Sequence, residues 1–280
     1  MSDKSEIVIS AANLSPRFGL RELWDYRDLL MMLVRRDWVA TYKQTLLGPL
    51  WYFVQPALTT MVYLFVFHGI ADLSTEALPP ALFYLSGIVL WNYFSESFNR
   101  IATTFVSNQN LFGKVYFPRV TVPLSILIGG SLKLGIQMSL LLCTWSYFAF
   151  TTGVARPTIH LLLFPVLLLI VAALALGSGL FIAAVTAKYR DLLFVVSFGV
   201  QLLMYVTPII YPLSAASVKL QRLLWLNPLT HIIEGFRHGL FGVGVLTASG
   251  LCYSALVAVI LLMIGSVIFR KTEQTVMDTI

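Results

Sequence analysis

Charge is scarce in this 280-residue sequence. Asp, Glu, Lys and Arg make up 11% of it, against 58% hydrophobic residues and a mean hydropathy of +0.82. A soluble domain carries roughly a quarter charged residues. Composition therefore excludes an ordinary soluble protein and points to the membrane. Cysteine is nearly missing. Cys143 and Cys252 both sit inside apolar runs, which gives no disulfide framework and no metal motif. They read as small buried hydrophobes. The N-terminal "MSDKSEIVIS" lacks an early apolar core, so no cleavable signal peptide is expected and the first span should act as an anchor. A phosphate loop is missing too. Gly113-Lys114 is preceded by Asn at 108 and followed by Val115, so the Walker A pattern fails. No catalytic set, metal site, tandem repeat or nucleic-acid module is legible.

What is present is length and apolarity. Six stretches meet the need for roughly 20 residues per crossing: 50–69, 81–106, 120–150, 161–187, 192–211 and 248–269. The net charge of +6 is unevenly placed. Thirteen Lys and Arg fall before span one, after spans two and six, and at the span-four/five junction, against four on the other side. The positive-inside rule then puts both termini in the cytoplasm. The basic excess reads as loops facing anionic lipid rather than nucleic acid.

Two further segments stand apart. Within 26–47, Leu30, Val34, Trp38 and Tyr42 recur every four residues while Arg27, Arg35, Arg36 and Lys43 crowd other faces. This predicts a basic amphipathic helix on the inner membrane surface. The stretch 223–246 is apolar but holds His231, Glu234, Arg237 and His238, which are costly at bilayer depth. It is expected to form short helices that dip in from the outer side, shielded by protein. The expected fold is an all-α integral membrane protein: six transmembrane helices, an N-terminal interface helix, and short re-entrant helices between spans five and six. The domain reading is an extension over 1–25, the interface helix over 26–47 and one membrane domain over 48–280.

Polar residues inside the spans fall on faces. Asn92, Glu96, Asn99 and Thr103 share one side of span two, and Ser125, Gly129, Lys133 and Gln137 one side of span three. Glu96 and Lys133 lie about 15 and 20 Å from the inner surface at 1.5 Å per residue, so they can meet. Arg100, four residues after Glu96, can also pair with it. The set Glu96, Arg100 and Lys133 fits either a structural ion-pair network or a functional one. Tyr52, Gln55, Thr59 and Tyr63 share a face of span one beside Pro56, and Ser197, Gln201 and Tyr205 a face of span five before Pro208. Aromatic rings stack on sugar C–H faces and amides exchange hydrogen bonds with hydroxyls, so these faces suit a sugar path as well as ordinary packing.

Five motifs in order resemble one family. "RRDWVATYKQTLLGPLWYFVQP" (35–56), "GKVYFPR" (113–119), "KYRDL" (188–192), "YVTPIIYP" (205–212) and "NPLTHIIEGFR" (227–237) resemble type 2 ABC transporter permeases that export polysaccharides. The likeness is greatest to O-antigen or capsular glycan permeases, with teichoic-acid exporters close behind. It implies a homodimer with two separate ATP-binding subunits, which hold ATP and Mg, in the bacterial inner membrane. The substrate it implies is an undecaprenyl-diphosphate-linked glycan. The first and fifth spans would wall a channel lined by Tyr52, Gln55, Thr59, Tyr63, Gln201 and Tyr205. A periplasmic gate would span 214–245, with Tyr211, Pro212, Asn227, Pro228, Glu234 and Arg237. Arg35, Arg36 and Lys43 would meet the diphosphate or anionic lipid. The loop 107–119 would be a coupling helix, with Asn110, Leu111, Phe112, Lys114 and Tyr116 against the ATPase. Two other readings compete: a permease for a drug or small lipid, and a polytopic glycosyl- or acyltransferase built on His231, Glu234 and His238.

Overall fold

Proline and glycine set the helix boundaries in the computed structural model, which describes residues 24–43, 45–76, 78–114, 117–153 and 157–277. Helix α1 (Arg27–Tyr42) precedes a 3-10 turn with Pro49 in its first turn. The chain then continues as α2 (Trp51–Tyr63) and a π-helical segment to Ile70. Pro80 opens α3 (Pro80–Ala102), where its missing N–H costs nothing. Two helical turns, α4 (Thr104–Ser107) and α5 (Gln109–Phe112), lead to α6 (Thr121–Thr152). Gly153, at φ 64°, stops α6 in the left-handed region that glycine tolerates. A 3-10 turn and α7 (Phe164–Lys188), α8 (Leu192–Tyr205), α9 (Val218–Trp225), α10 (Pro228–Phe241) and α11 (Ala248–Met277) complete the chain. The described residues contain no strand.

Among the described residues four helical stretches are long and apolar enough to cross a membrane: Gly48–Ile70, Thr121–Thr152, Ile159–Lys188 and Ala248–Thr275. The six-span expectation meets two differences. Helix α3 has 23 residues, about 35 Å at 1.5 Å per residue, but it carries Glu96 and Arg100. It lies at the centre of the bundle, packed by α2, α6 and α7, so little of it needs to be apolar for lipid. Leu82 to Leu90 on α3 are all nearly inaccessible. Helix α8 has 14 residues, about 21 Å, and ends at Tyr205 rather than Tyr211. Pro208 supplies no amide hydrogen, and Thr207–Ile210 turn inward and are buried.

Helices α7 and α11 pack closely through glycine. A Cβ on Gly177 would overlap the backbone of Leu261 and Leu262, and one on Gly265 the carbonyl of Gly177. Small residues at such a crossing let two backbones touch. Beyond it the two helices lead to Lys188 and Lys271, on either side of a cleft that α5 also borders.

Candidate functional site

Arg237 is the most enclosed charge among the described residues, at 1% exposure. Its guanidinium donates to the carbonyls of Pro208 (2.7 Å), Ile209 (3.2 Å) and Phe83 (3.2 Å), to Ser86 Oγ (3.3 Å) and to Glu234 Oε1 (3.3 Å). It lies 3.7 Å from the centroid of the Phe83 ring, a cation–π arrangement. Glu234 Oε2 in turn accepts from Val245 N. Arg237 thus holds the turn after α8 and the start of α3, and Glu234 beside it holds the loop after α10. The planar fork of arginine suits this task, because it offers five donors in fixed directions. The Pro208 and Ile209 carbonyls of the non-helical turn are satisfied there, which is what irregular backbone inside a membrane protein requires.

The neighbouring polar groups close the same corner. Asn227 caps α10 by accepting from Leu229 N, and its amide donates to Thr207 Oγ1 at 2.9 Å and to Val206 O. Pro228 follows at the first helical position, and Pro212 is buried. The Tyr211 hydroxyl donates to Tyr205 O at 2.9 Å. His231 packs between Trp225 and Tyr253 and bonds Trp225 O, while His238 bonds Gly244 O and faces His160. The residues expected at a gate are therefore brought together around the end of α8.

A second polar cluster joins α1, α2, α3 and α6. Lys133 donates to Glu96, and its ammonium lies 4.7 Å from the centroid of the Tyr52 ring. Trp38 of α1 packs on the other part of Tyr52 at 5.7 Å. Arg100 makes its ion pair with Asp37 of α1, not with Glu96 four residues away, and Asp37 also accepts from Arg36. This corrects the local pairing expected within α3. Asp37 was missed because it sits among cations in "RRDW", where it reads as one more solvated charge. Arg35, Arg36 and Lys43 remain exposed on α1, whose Leu33 and Val34 are buried; α1 packs on α6.

Of the residues expected to line a channel, Tyr52 faces Lys133 and Trp38. Gln55, Gln201 and Tyr205 are exposed, and Thr59 and Tyr63 are half-buried. The Thr59 hydroxyl donates to Gln55 O, within its own helix. Tyr63 donates to Met204 Sδ at 3.6 Å, which ties α2 to α8. Around these residues α2 and α8 expose apolar side chains, among them Met61, Phe65, Phe194 and Phe198.

The loop 107–119 divides into a packed and an open part. Asn110 and Lys114 are exposed and Leu111 half-buried; Tyr116 lies outside the described residues. Phe112 is buried, which corrects its expected role as a docking side chain. It packs with Phe105 and Phe117, and Phe105 stacks on Phe269 of α11 at 4.5 Å. Arg119, at the end of the same loop, is also buried. Its guanidinium covers the Phe112 ring at 5.1 Å and pairs with Glu273. Burial pulls the Arg119 pKa below the usual arginine range, while Glu273 opposes that shift. Glu273, also missed in the sequence, is the carboxylate in "RKTEQT" that anchors α11 to this loop.

Comparison with known proteins gives this arrangement a family. Residues 28–241 match the family model described as ABC-2 type transporter. The chain is 30% identical over 263 residues to the "O-antigen export system permease protein RfbA" of Myxococcus xanthus, covering 93% of this chain and 98% of that one. A Klebsiella pneumoniae protein of the same name is 28% identical, with 88% and 92% covered. The "Polysialic acid transport protein KpsM" of Escherichia coli is 25% identical, with 83% and 89% covered. With three quarters of its length inside the family match, the chain belongs to the ABC-2 type transporter family, as a membrane permease.

Proposed function

We propose that this protein is the membrane subunit of an exporter that moves an undecaprenyl-diphosphate-linked polysaccharide, an O-antigen or capsular glycan, across the bacterial inner membrane. Two copies work with two ATP-binding subunits that hydrolyse ATP. The chain crosses six times, with α3 and α8 as the second and fifth crossings and both termini in the cytoplasm. The observation that carries the reading is the joined face of α2 and α8. It is linked through Tyr63 and Met204 and presents Gln55, Gln201 and Tyr205, which are exposed among the described residues. Only 11% of the most apolar stretch of Gly48–Ile70 is buried. A second protomer facing the first would enclose a path of rings and amides, where sugar hydroxyls exchange hydrogen bonds and C–H faces stack. The names of the relatives support glycan as the cargo.

The segments around the path take the following roles. The corner held by Arg237 and Asn227 is the outer gate, since it fixes how α8 ends. Helix α1, with Arg35, Arg36 and Lys43, receives the diphosphate head group at the inner interface, where such cations attract phosphates. Asn110, Leu111 and Lys114 meet the ATPase. Phe112 and Arg119 act behind them, carrying force into α11 through Phe269 and Glu273. Deleting the gene should clear the polymer from the cell surface and leave it inside, and re-expression should restore it. Unchanged surface glycan in the deletion strain would contradict the assignment.

A further inference from the structure

We infer that the cleft between the ends of α7 and α11 is a binding site for one anionic phospholipid of the inner leaflet. The cleft has a volume of about 580 Å³. Ala184, Ala187 and Ile268 supply its apolar walls, and Lys188, Arg190 and Lys271 its polar rim. Among the described residues none of these three cations forms an ion pair. Lys188 lies over the Tyr189 ring and Arg190 donates to Gln109 Oε1, both neutral partners. The nearby Glu273 is engaged by Arg119. Three cations therefore border an apolar cleft, with Asp191 beside Arg190 and Glu273 two residues from Lys271 as the carboxylates near them in sequence.

Two occupants have the required negative charge: a phospholipid and an acidic segment of a partner protein. The faces leading to the cleft favour the lipid. On α11, Ile260, Ile264 and Val267 are 41%, 46% and 54% exposed, and Lys271 continues the same helical face. On α7, Phe181 and Val185 lead in the same way to Lys188. Lys188 and Lys271 thus each end an apolar stripe within a span, and Arg190 lies just beyond the first of them. An acyl chain lies along such a stripe while a phosphodiester meets the cations at its end. A soluble acidic segment would use the cations and leave the stripes uncovered. The crossing at Gly177 and Gly265 brings the two backbones into contact, and the cleft opens beyond it toward Lys188 and Lys271. The choice of leaflet rests on the orientation proposed above; the binding itself does not.

The test uses the full chain, delipidated in neutral detergent, with a thermal melt and native mass spectrometry as readouts. Phosphatidylglycerol should raise the unfolding midpoint and appear as a single retained adduct. Phosphatidylcholine and inorganic phosphate should do neither. Removing one cation, as in Lys271→Ala, should weaken retention about fivefold, and the triple variant Lys188→Ala/Arg190→Ala/Lys271→Ala should abolish it. The control Arg35→Ala/Arg36→Ala should retain that adduct. Equal retention by the triple variant, an equal shift with phosphatidylcholine, or a full shift from inorganic phosphate would each overturn the proposal. So would a triple variant that retains the lipid but no longer binds its ATP-binding subunit, because the cleft would then belong to that protein. Reconstitution inside-out would separate leaflet from site: binding with the opposite sidedness would refute the orientation and leave the lipid site standing.

Discussion

Replacing Arg237 by methionine should destabilise the protein more than any exposed substitution. The methionine fills similar length but offers no donor. Three backbone carbonyls, of Phe83, Pro208 and Ile209, lose their bonds, and Glu234 keeps a buried charge without its cation. A stranded buried polar group costs about 1–3 kcal/mol. Breaking a buried ion pair from one side costs about 3–5 kcal/mol. The losses overlap, because the turn at 207–210 relaxes once released, so we expect about 3–5 kcal/mol overall. Arg237→Lys should recover a minority of this, since one ammonium cannot reach the spread of acceptors that the fork does. Glu234→Gln should be milder than Arg237→Met, because an amide oxygen still accepts from Val245 N and Arg237 keeps its carbonyls. The assay is reversible unfolding in mixed micelles, with the melting midpoint as a second readout. Loss of less than about 1 kcal/mol in Arg237→Met would refute the clamp.

Four further outcomes follow from the packing. Phe112→Ala should cost about 3–5 kcal/mol as a buried aromatic truncation, whereas Lys114→Glu should leave the melt unchanged and reduce export per ATP hydrolysed; a coupled-ATPase assay beside a melt separates them. Glu96→Gln and Lys133→Met should each lower the melting midpoint more than the double variant does, because each single change strands a partner; a double-mutant cycle measures this. Gly177→Leu should prevent accumulation of folded protein, while Gly129→Ala should be silent, since a Cβ there meets nothing within 4 Å; expression and gel filtration report both. Asp37→Asn should release α1 from α3 by loosening Arg100, read as faster proteolysis of 24–43 with the melt of the remaining bundle nearly constant.

Patterns in the sequence were reliable where helical spacing alone set them. The helix over α1 and the depth match of Glu96 and Lys133 need only helical spacing. The end of α8 was not legible in that way. Its last turn is undone by an arginine some thirty residues later, and hydropathy treats "VTPIIY" as more span. Arg100 illustrates the same limit. Glu96 is one turn away, yet Asp37, 63 residues upstream, takes the bond. Phe112 and Arg119 look like a sticky exposed loop in isolation, and their burial depends on Phe105, Phe269 and Glu273 from two other helices. The signal that was available is a single carboxylate inside a basic run, Asp37 in "RRDW" and Glu273 in "RKTEQT". Each marks where a basic segment is held by the bundle.

The central claim is that the chain forms the path for a lipid-linked glycan. The most direct measurement is reconstitution of the permease with its ATP-binding subunit in vesicles holding undecaprenyl-diphosphate-linked polymer on the ATP side. The account predicts that adding ATP moves the polymer to the opposite face, where a glycosidase kept outside no longer reaches it, and that Gln201→Leu with Tyr205→Leu slows this transfer. ATP hydrolysis at a rate indifferent to the glycan, with the polymer remaining fully cleavable, would contradict it.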